Sequence, residues 1–375
     1  MTIITAQVKH YFAGGNTGNG FYSFYDQIIG SDANRVFILK GGPGTGKSTF
    51  MKKIGEKMFA RGFDLEFFHC SSDPNSLDGL VIPSLKIGFI DGTTPHMIDP
   101  INPGIIDEII NLGVFWNGPE LKKDKEQILE LNKKKKACFE RAYVYLAAAK
   151  GVYQNWQKTN LACLTEEMYL KTRLDIKEQI FGSHSPTGKL GTIRHLFASA
   201  ITPDGPVNFL ESIFNESENL YVLDGPPGSG QTLILDNLIE TALEHGNKME
   251  VYHCALDPSK NEHLWLPELK TGIISSTWPH KHTIDDHHHF IDTSTFVKKN
   301  NQLYAETLKE TRLVFLELFE RAVTWLDKAK KMHAEIEKHY LPCMDFKGAT
   351  LLREEILSQI LESIPDGIGL FEEIT

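Results

Sequence analysis

Gly41-Gly42-Pro43-Gly44-Thr45-Gly46-Lys47-Ser48 sets four glycines, a lysine and two hydroxyls within eight consecutive positions, followed by Thr49. Glycines let successive backbone N–H groups turn inward around phosphate oxygens, and a helix beginning at Lys47 would add the positive end of its dipole. The Lys47 ammonium could then reach the outer phosphates of a polyphosphate chain, while the Ser48 hydroxyl could face a divalent cation; Thr49 is a neighbour of less defined role. Such a cation also needs a carboxylate at the end of a nearby strand. Asp91, closing the run Ile87-Gly88-Phe89-Ile90-Asp91, is the candidate, with Asp73 and Asp78 as runners-up. The plain alternative is a glycine turn joining strand to helix, with Asp91-Gly92 as an ordinary turn dipeptide.

The elements that must position these residues occur twice. Shifted by 184 positions, residues 40–96 align without a gap on residues 224–280, and 20 of the 57 pairs are identical. Matches before and after this block, at offsets of 185 and 180, extend the duplication over nearly the whole chain. The second copy keeps Gly225, Gly228, Ser229, Gly230 and Thr232 but carries Gln231 where the first has Lys47 and Ser275 where it has Asp91. Gln donates hydrogen bonds without charge, so this degenerate second site is expected to be hydrolytically dead, binding nucleotide weakly or serving structure. His69, Cys70, Asp73 and His96 recur as His253, Cys254, Asp257 and His280, so their role is not confined to hydrolysis; packing at a strand end is the simpler reading for the His-Cys pair.

Arg35–Lys40 (RVFILK) is an apolar run entering the glycine loop and predicts a buried strand. Residues 47–61 predict a helix stopped by Gly62, and 64–70 and 85–91 two further strands. Strands alternating with helices imply a parallel sheet flanked by helices. Beyond it, apolar positions at helical spacing from Ile128 to Ala149 and a second segment over 164–181 predict a helical hairpin, with a counterpart at about 300–364. The expected division is 1–186, with its hairpin at about 120–182, and 187–375, joined through the Gly/Ser/Pro-rich stretch 182–191.

On these residues the chain resembles the P-loop NTPases, and more narrowly tandem-duplicated bacterial ATPases of that superfamily that share Asp91-Gly92-Thr93 and Pro95-His96 after a strand. The entry to the loop is also similar to the RecA/KaiC-like core. The resemblance implies an α/β chain of two tandem P-loop domains, with Gly41, Gly42, Pro43, Gly44, Thr45, Gly46, Lys47, Ser48 and Thr49 around ATP, Lys47 and Asp91 as catalytic, and Ser48 and Asp91 serving Mg²⁺. No ABC-type LSGGQ is present, and Asn247-Lys248-Met249-Glu250 fails as a guanine-reading NKxD, so ATP is preferred over GTP. Three functions compete: an ATPase driving motion of the halves or hairpins, a kinase phosphorylating a small acceptor, and a slowly turning nucleotide sensor that reports to a protein partner.

Other clusters have bland readings. His280, His282, His287, His288 and His289 with Asp285 and Asp286 could hold a transition metal but read better as an exposed loop, and Lys133–Lys136 reads as a solvated helix face. Arg141, Arg194 or Arg321 could act as an arginine finger, though local ion pairs explain them. A formal net charge of −10 argues against a nucleic-acid partner. Five Cys without CxxC spacing, no apolar run of membrane length and no charged-then-apolar leader lead to the expectation of a cytoplasmic protein that meets no membrane.

Overall fold

A computed structural model describes residues 6–94, 97–282, 288–298 and 302–364. In chain order the first repeat supplies β1 (Val8–Phe12), β2 (Arg35–Lys40), α1 (Lys47–Phe59), β3 (Leu65–Cys70), β4 (Asp73–Ile82), β5 (Ile87–Asp91) and β6 (Asp107–Asn111). Two long helices follow, α2 (Lys125–Leu161) and α3 (Glu166–Phe181). The second repeat runs β7 (Thr192–Leu196), β8 (Asn219–Asp224), α4 (Gln231–Glu244), β9 (Lys248–His253), β10 (Asn261–Leu266), β11 (Thr271–Ser276) and β12 (His289–Asp292), then α5 (Gln302–Tyr340) and α6 (Phe346–Glu362). Among the described residues no helix is long and apolar enough to cross a membrane.

The chain is α/β with two six-stranded sheets, ordered β1-β3-β4-β5-β2-β6 and β12-β8-β11-β10-β9-β7. Neither is the parallel sheet expected from the strand-helix alternation. β2 lies parallel to β5 and β6, and β1 parallel to β3, but β4 runs antiparallel to both β3 and β5. β10 does the same between β9 and β11. The sequence concealed this strand because Asp73-Pro74-Asn75-Ser76 has turn composition, whereas the chain there doubles straight back from β3 without a helix.

Two compact units form, and their borders do not follow the repeat: one gathers Met1–Ala13, Phe24–Phe139 and Leu326–Thr375, the other Gly14–Ser23 and Glu140–Trp325. Where 1–186 and 187–375 would assign each sheet its own hairpin, the first unit takes the last part of α5 and all of α6 from the second repeat, and the second unit takes most of α2 and all of α3 from the first. The cores show why these are stable unions. In the first unit Ala349, Ile356, Leu357 and Ile360 of α6 are buried in one cluster with Phe50, Met51, Ile54 and Met58 of α1 and with Phe37 and Phe89 of the sheet. In the second, Tyr169, Ile176, Ile180 and Phe181 of α3 join Ile234, Leu235 and Leu238 of α4 and Tyr221 and Leu223 of the sheet. Each fully buried aliphatic or aromatic side chain contributes about 1.5–3 kcal/mol, so either helix brings more than a typical surface element.

Candidate functional site in the first unit

β2, buried along its apolar run, delivers the chain into the glycine loop, and α1 begins at Lys47. Gly44 (φ 69°) and Gly46 (φ 83°) lie in the left-handed region, where a side chain costs about 1–2 kcal/mol, so the tight curl requires glycine there. Thr45 closes the curl by donating its hydroxyl to the Gly42 carbonyl at 2.9 Å. Lys47 Nζ donates to the carbonyls of Gly41 (2.8 Å) and Gly42 (3.1 Å) and stands 3.6 Å from Asp91 Oδ2. Both charged side chains are nearly withdrawn from water, which strengthens their mutual attraction. Ser48 Oγ accepts the Leu77 amide at 2.9 Å, and Thr49 is exposed.

Asp91 ends β5 as expected, and Thr93 orients it by donating both its amide (2.9 Å) and its hydroxyl (2.6 Å) to Oδ1. Burial pushes its carboxyl up, and the Lys47 charge opposes that shift. The antiparallel pairing of Gly79 with Ile90 brings the preceding residue, Asp78, across from Asp91 on the same face. Asp78 is buried; Tyr25 donates to its Oδ2 at 2.6 Å, and Tyr25 and the Cys70 thiol both favour its charged form against the push of burial. Burial raises the Asp78 carboxyl to about 6 and lifts the Cys70 thiol well above its usual range. The site thus holds the Lys47 ammonium, the two buried carboxyls of Asp78 and Asp91, and the Ser48 hydroxyl at the start of α1. Cys70 is marked in the sequence by its recurrence as Cys254, which reads there as strand-end packing, and Tyr25 carries no signal, because their place beside Asp78 comes from long-range packing.

A further group reaches the loop from the end of α5. The side chains of Trp116 and Tyr340 stand 3.2 Å from where a Cβ on Gly42 would sit, and those of Tyr340 and Leu341 stand 3.5 Å from one on Gly44. One turn earlier, Glu337 is held below the usual carboxylate range, first by the His333 imidazole 3.6 Å away and then by the backbone amide of Gly44. Glu337 had a readable signal: its repeat counterpart is Gln157, so it loses its charge in the copy that also loses Lys47 and Asp91.

Other candidates take structural roles. Asp73 pairs with Lys330 of α5 at 3.2 Å, and its counterpart Asp257 pairs with Lys150 of α2 at 3.8 Å and accepts from Gln154 at 2.9 Å. The same two repeat positions therefore hold a long helix against each sheet. His69 Nδ1 donates to the Pro74 carbonyl (2.7 Å), leaving Nε2 to accept from His10 Nδ1 (2.8 Å); His253, Pro258 and His195 repeat the arrangement at 2.8 and 2.9 Å. Burial lowers both His69 and His253 to about 4. Arg194 bonds to Glu250 across the strands, Arg321 to Glu317 along its helix, and Arg141 lies over the Trp325 ring. Lys133, Lys134 and Lys136 are exposed, whereas Lys135 lies beside His333.

In the second unit the loop is filled by protein. Gln231 and Ser275 are buried, the Gln157 carbonyl lies 2.2 Å from where a Cβ on Gly228 would stand, and Asn160 donates to the Pro227 carbonyl at 2.6 Å. Ser229 is zipped to Thr293 at 2.6 Å. Gly225 bonds through its amide to Ser276, Gly230 begins α4 in the left-handed region, and Thr232 follows Gln231 in its first turn. Glu262, the counterpart of Asp78, is driven up to about 8 by burial, with the Cys254 thiol opposing the shift. Of the histidine-rich stretch, His280 is buried, His282 lies against His288 and His289 stacks on Tyr221, while Asp285, Asp286 and His287 lie outside the described residues, as does His96. No group of three or more His, Cys, Asp or Glu among the described residues is arranged to hold a metal ion.

No family model, no curated protein and no solved structure matches the chain. The site must therefore be read from its own geometry.

Proposed function

We propose that the first unit binds ATP through residues 41–48 and hydrolyses it with Mg²⁺, as a P-loop NTPase whose second loop has become structural. The observation that carries this reading is Lys47: an ammonium withdrawn from water, at a helix N-terminus, satisfied by loop carbonyls and facing a strand-end carboxylate. The second loop keeps left-handed Gly228 and Gly230 without this lysine, so the Lys47–Asp91 charge pair, rather than the glycine curl, is what sets the first site apart. The donor set suits a hard cation, since Ser48 offers a hydroxyl and Asp91 a carboxylate, oxygen ligands of the kind Mg²⁺ takes. Bound there, Mg²⁺ would neutralise charge on the outer phosphates; Lys47 would stabilise charge developing on the transferred phosphoryl group, and the loop amides would fix its position.

Support for the inert second site is the loss of Lys and Asp together with the filling of the loop by Gln157 and Asn160. The reading is tested by phosphate release from ATP by the full chain, with and without Mg²⁺. Release that needs Mg²⁺ and no added acceptor, and that falls about 10²–10³-fold in Lys47→Ala, is the expected result. Release that persists in that variant, or transfer seen only when a small acceptor is supplied, would replace hydrolysis at this site with another activity. Saturable binding with negligible release would turn the chain into a sensor.

A further inference from the structure

We propose that the start of α4, with the side chains of Gln231, His263, Ser275 and His280, forms an enclosed site for a small oxyanion of the size of inorganic phosphate. This goes beyond the reading above, which gives the second loop no ligand, and it does not depend on turnover in the first unit. Gln231, Glu262, His263, Ser275 and His280 are each at most 6% exposed. Each has a polar atom without a hydrogen-bond partner among the described residues: Gln231 Nε2, Glu262 Oε2, His263 Nε2, Ser275 Oγ and both ring nitrogens of His280. Buried polar atoms in folded proteins nearly always have a partner, so five such residues at one place call for a bound group.

The sheet brings them to one place. β8 pairs with β11 so that Leu223 lies beside Ser275, and β10 pairs with β11 so that His263 lies beside Ile274; Glu262, His263 and Ser275 therefore stand at neighbouring strand ends. From the same end β8 leads through the glycine loop to Gln231 at the start of α4. His280 returns there through a turn closed by its amide on the Thr277 carbonyl at 2.9 Å. In the first unit Lys47 and Asp91, at the positions of Gln231 and Ser275, stand 3.6 Å apart. Polarity is kept here rather than left over: His263 replaces Gly79, and Gln, Ser and Glu stand where Lys47, Asp91 and Asp78 were. A loop that served packing alone would gain from apolar residues at these positions.

The atoms on offer are mainly donors. The Ser275 amide donates to His263 Nδ1 at 3.2 Å, so His263 Nε2 carries the ring proton and can only donate, which rules it out as a metal ligand. Gln231 Nε2 also only donates, the Ser275 hydroxyl can donate, and a neutral His280 offers one N–H. Glu262 Oε2 lies 3.9 Å from His263 Nε2 and adds no repelling charge at neutral pH, because burial raises its carboxyl to about 8. Donors converging at a helix N-terminus suit the acceptor oxygens of an anion. The ammonium and carboxylate that a Mg²⁺-bound triphosphate would use in the first unit are both gone, which leaves a small oxyanion as the matching ligand.

The test is equilibrium dialysis of the full chain against radiolabelled inorganic phosphate in the Lys47→Ala background, which weakens the first loop. One phosphate per chain is expected. Adding Gln231→Leu, which removes a donor at nearly constant volume, should weaken it about tenfold, the weight of one hydrogen bond to a charged group, and Ser275→Ala should act in the same direction. A crystal of the wild-type chain soaked in arsenate, an isostere of phosphate with an anomalous X-ray signal, gives a reading that needs no variant: the signal should lie within hydrogen-bond reach of Gln231 Nε2 and His263 Nε2. No bound phosphate, binding that neither substitution weakens, or water alone at these atoms in the soaked crystal overturns the oxyanion site. Those results leave ATP hydrolysis in the first unit standing, because it is read separately from phosphate release. Phosphate held here by a chain that does not hydrolyse ATP would keep this site and remove that reading.

Discussion

Lys47 and Asp91 form a charge pair held almost out of water. An ammonium removed from water is tolerated because two carbonyls and a carboxylate replace the lost hydration. Lys47→Ala should lower phosphate release by about 10²–10³-fold, the effect of deleting one preorganised charge donor, without unfolding the chain by circular dichroism. Glu262 provides a test in the second unit that needs no ligand. Its carboxyl, raised to about 8, keeps its proton in the native state at pH values where the unfolded chain has released it. Stability should therefore fall as pH rises from about 4.5 to 8, by up to roughly 5 kcal/mol if this group acted alone. Gln cannot titrate, so Glu262→Gln should flatten that slope and melt higher than wild type at pH 8, as measured by denaturant midpoints across the window. A slope unchanged in the variant would assign the pH dependence to other groups.

At the level of elements, the two loops make opposite demands on their glycines. Gly228→Ala puts a Cβ against the Gln157 backbone carbonyl as well as into a left-handed conformation, so backbone must move; a loss of about 3 kcal/mol or more is expected. Gly44→Ala meets side-chain atoms of Leu341 and Tyr340 at 3.5 Å, an ordinary contact, and should cost about 1–2 kcal/mol, mostly backbone strain. Chemical denaturation of the two variants would reveal this ranking, and equal losses would contradict the sealed second loop. The Asp73–Lys330 pair holds α5 to the sheet through partly exposed groups. A double-mutant cycle on Asp73→Asn and Lys330→Met should therefore give less than about 1 kcal/mol of coupling.

At the scale of the chain, a duplicated sequence does not produce two self-contained copies. A fragment of residues 1–186 would carry the first glycine loop and its sheet but lack Ala349, Ile356, Leu357 and Ile360, which complete that core. Expressed alone, it should unfold without cooperativity or aggregate, and supplying 326–375 on a second chain should restore a cooperative thermal transition. A fragment that melts cooperatively by itself would mean that its own hairpin can close the sheet. The repeat, the loop, its strand and helix, Asp91 at a strand end and the buried apolar runs were all legible beforehand, because each is set by spacing between residues close in sequence. Asp78 beside Asp91 was not, since it depends on a strand that reverses where turn residues stand. Nor was the exchange of helices between repeats, or the placing of Tyr340 and Leu341 against Gly44. Two similar hairpins present nearly the same apolar stripe, so local pattern cannot say which sheet each one covers; long-range packing chooses, and that choice brings Tyr340 and Leu341 to the glycine loop.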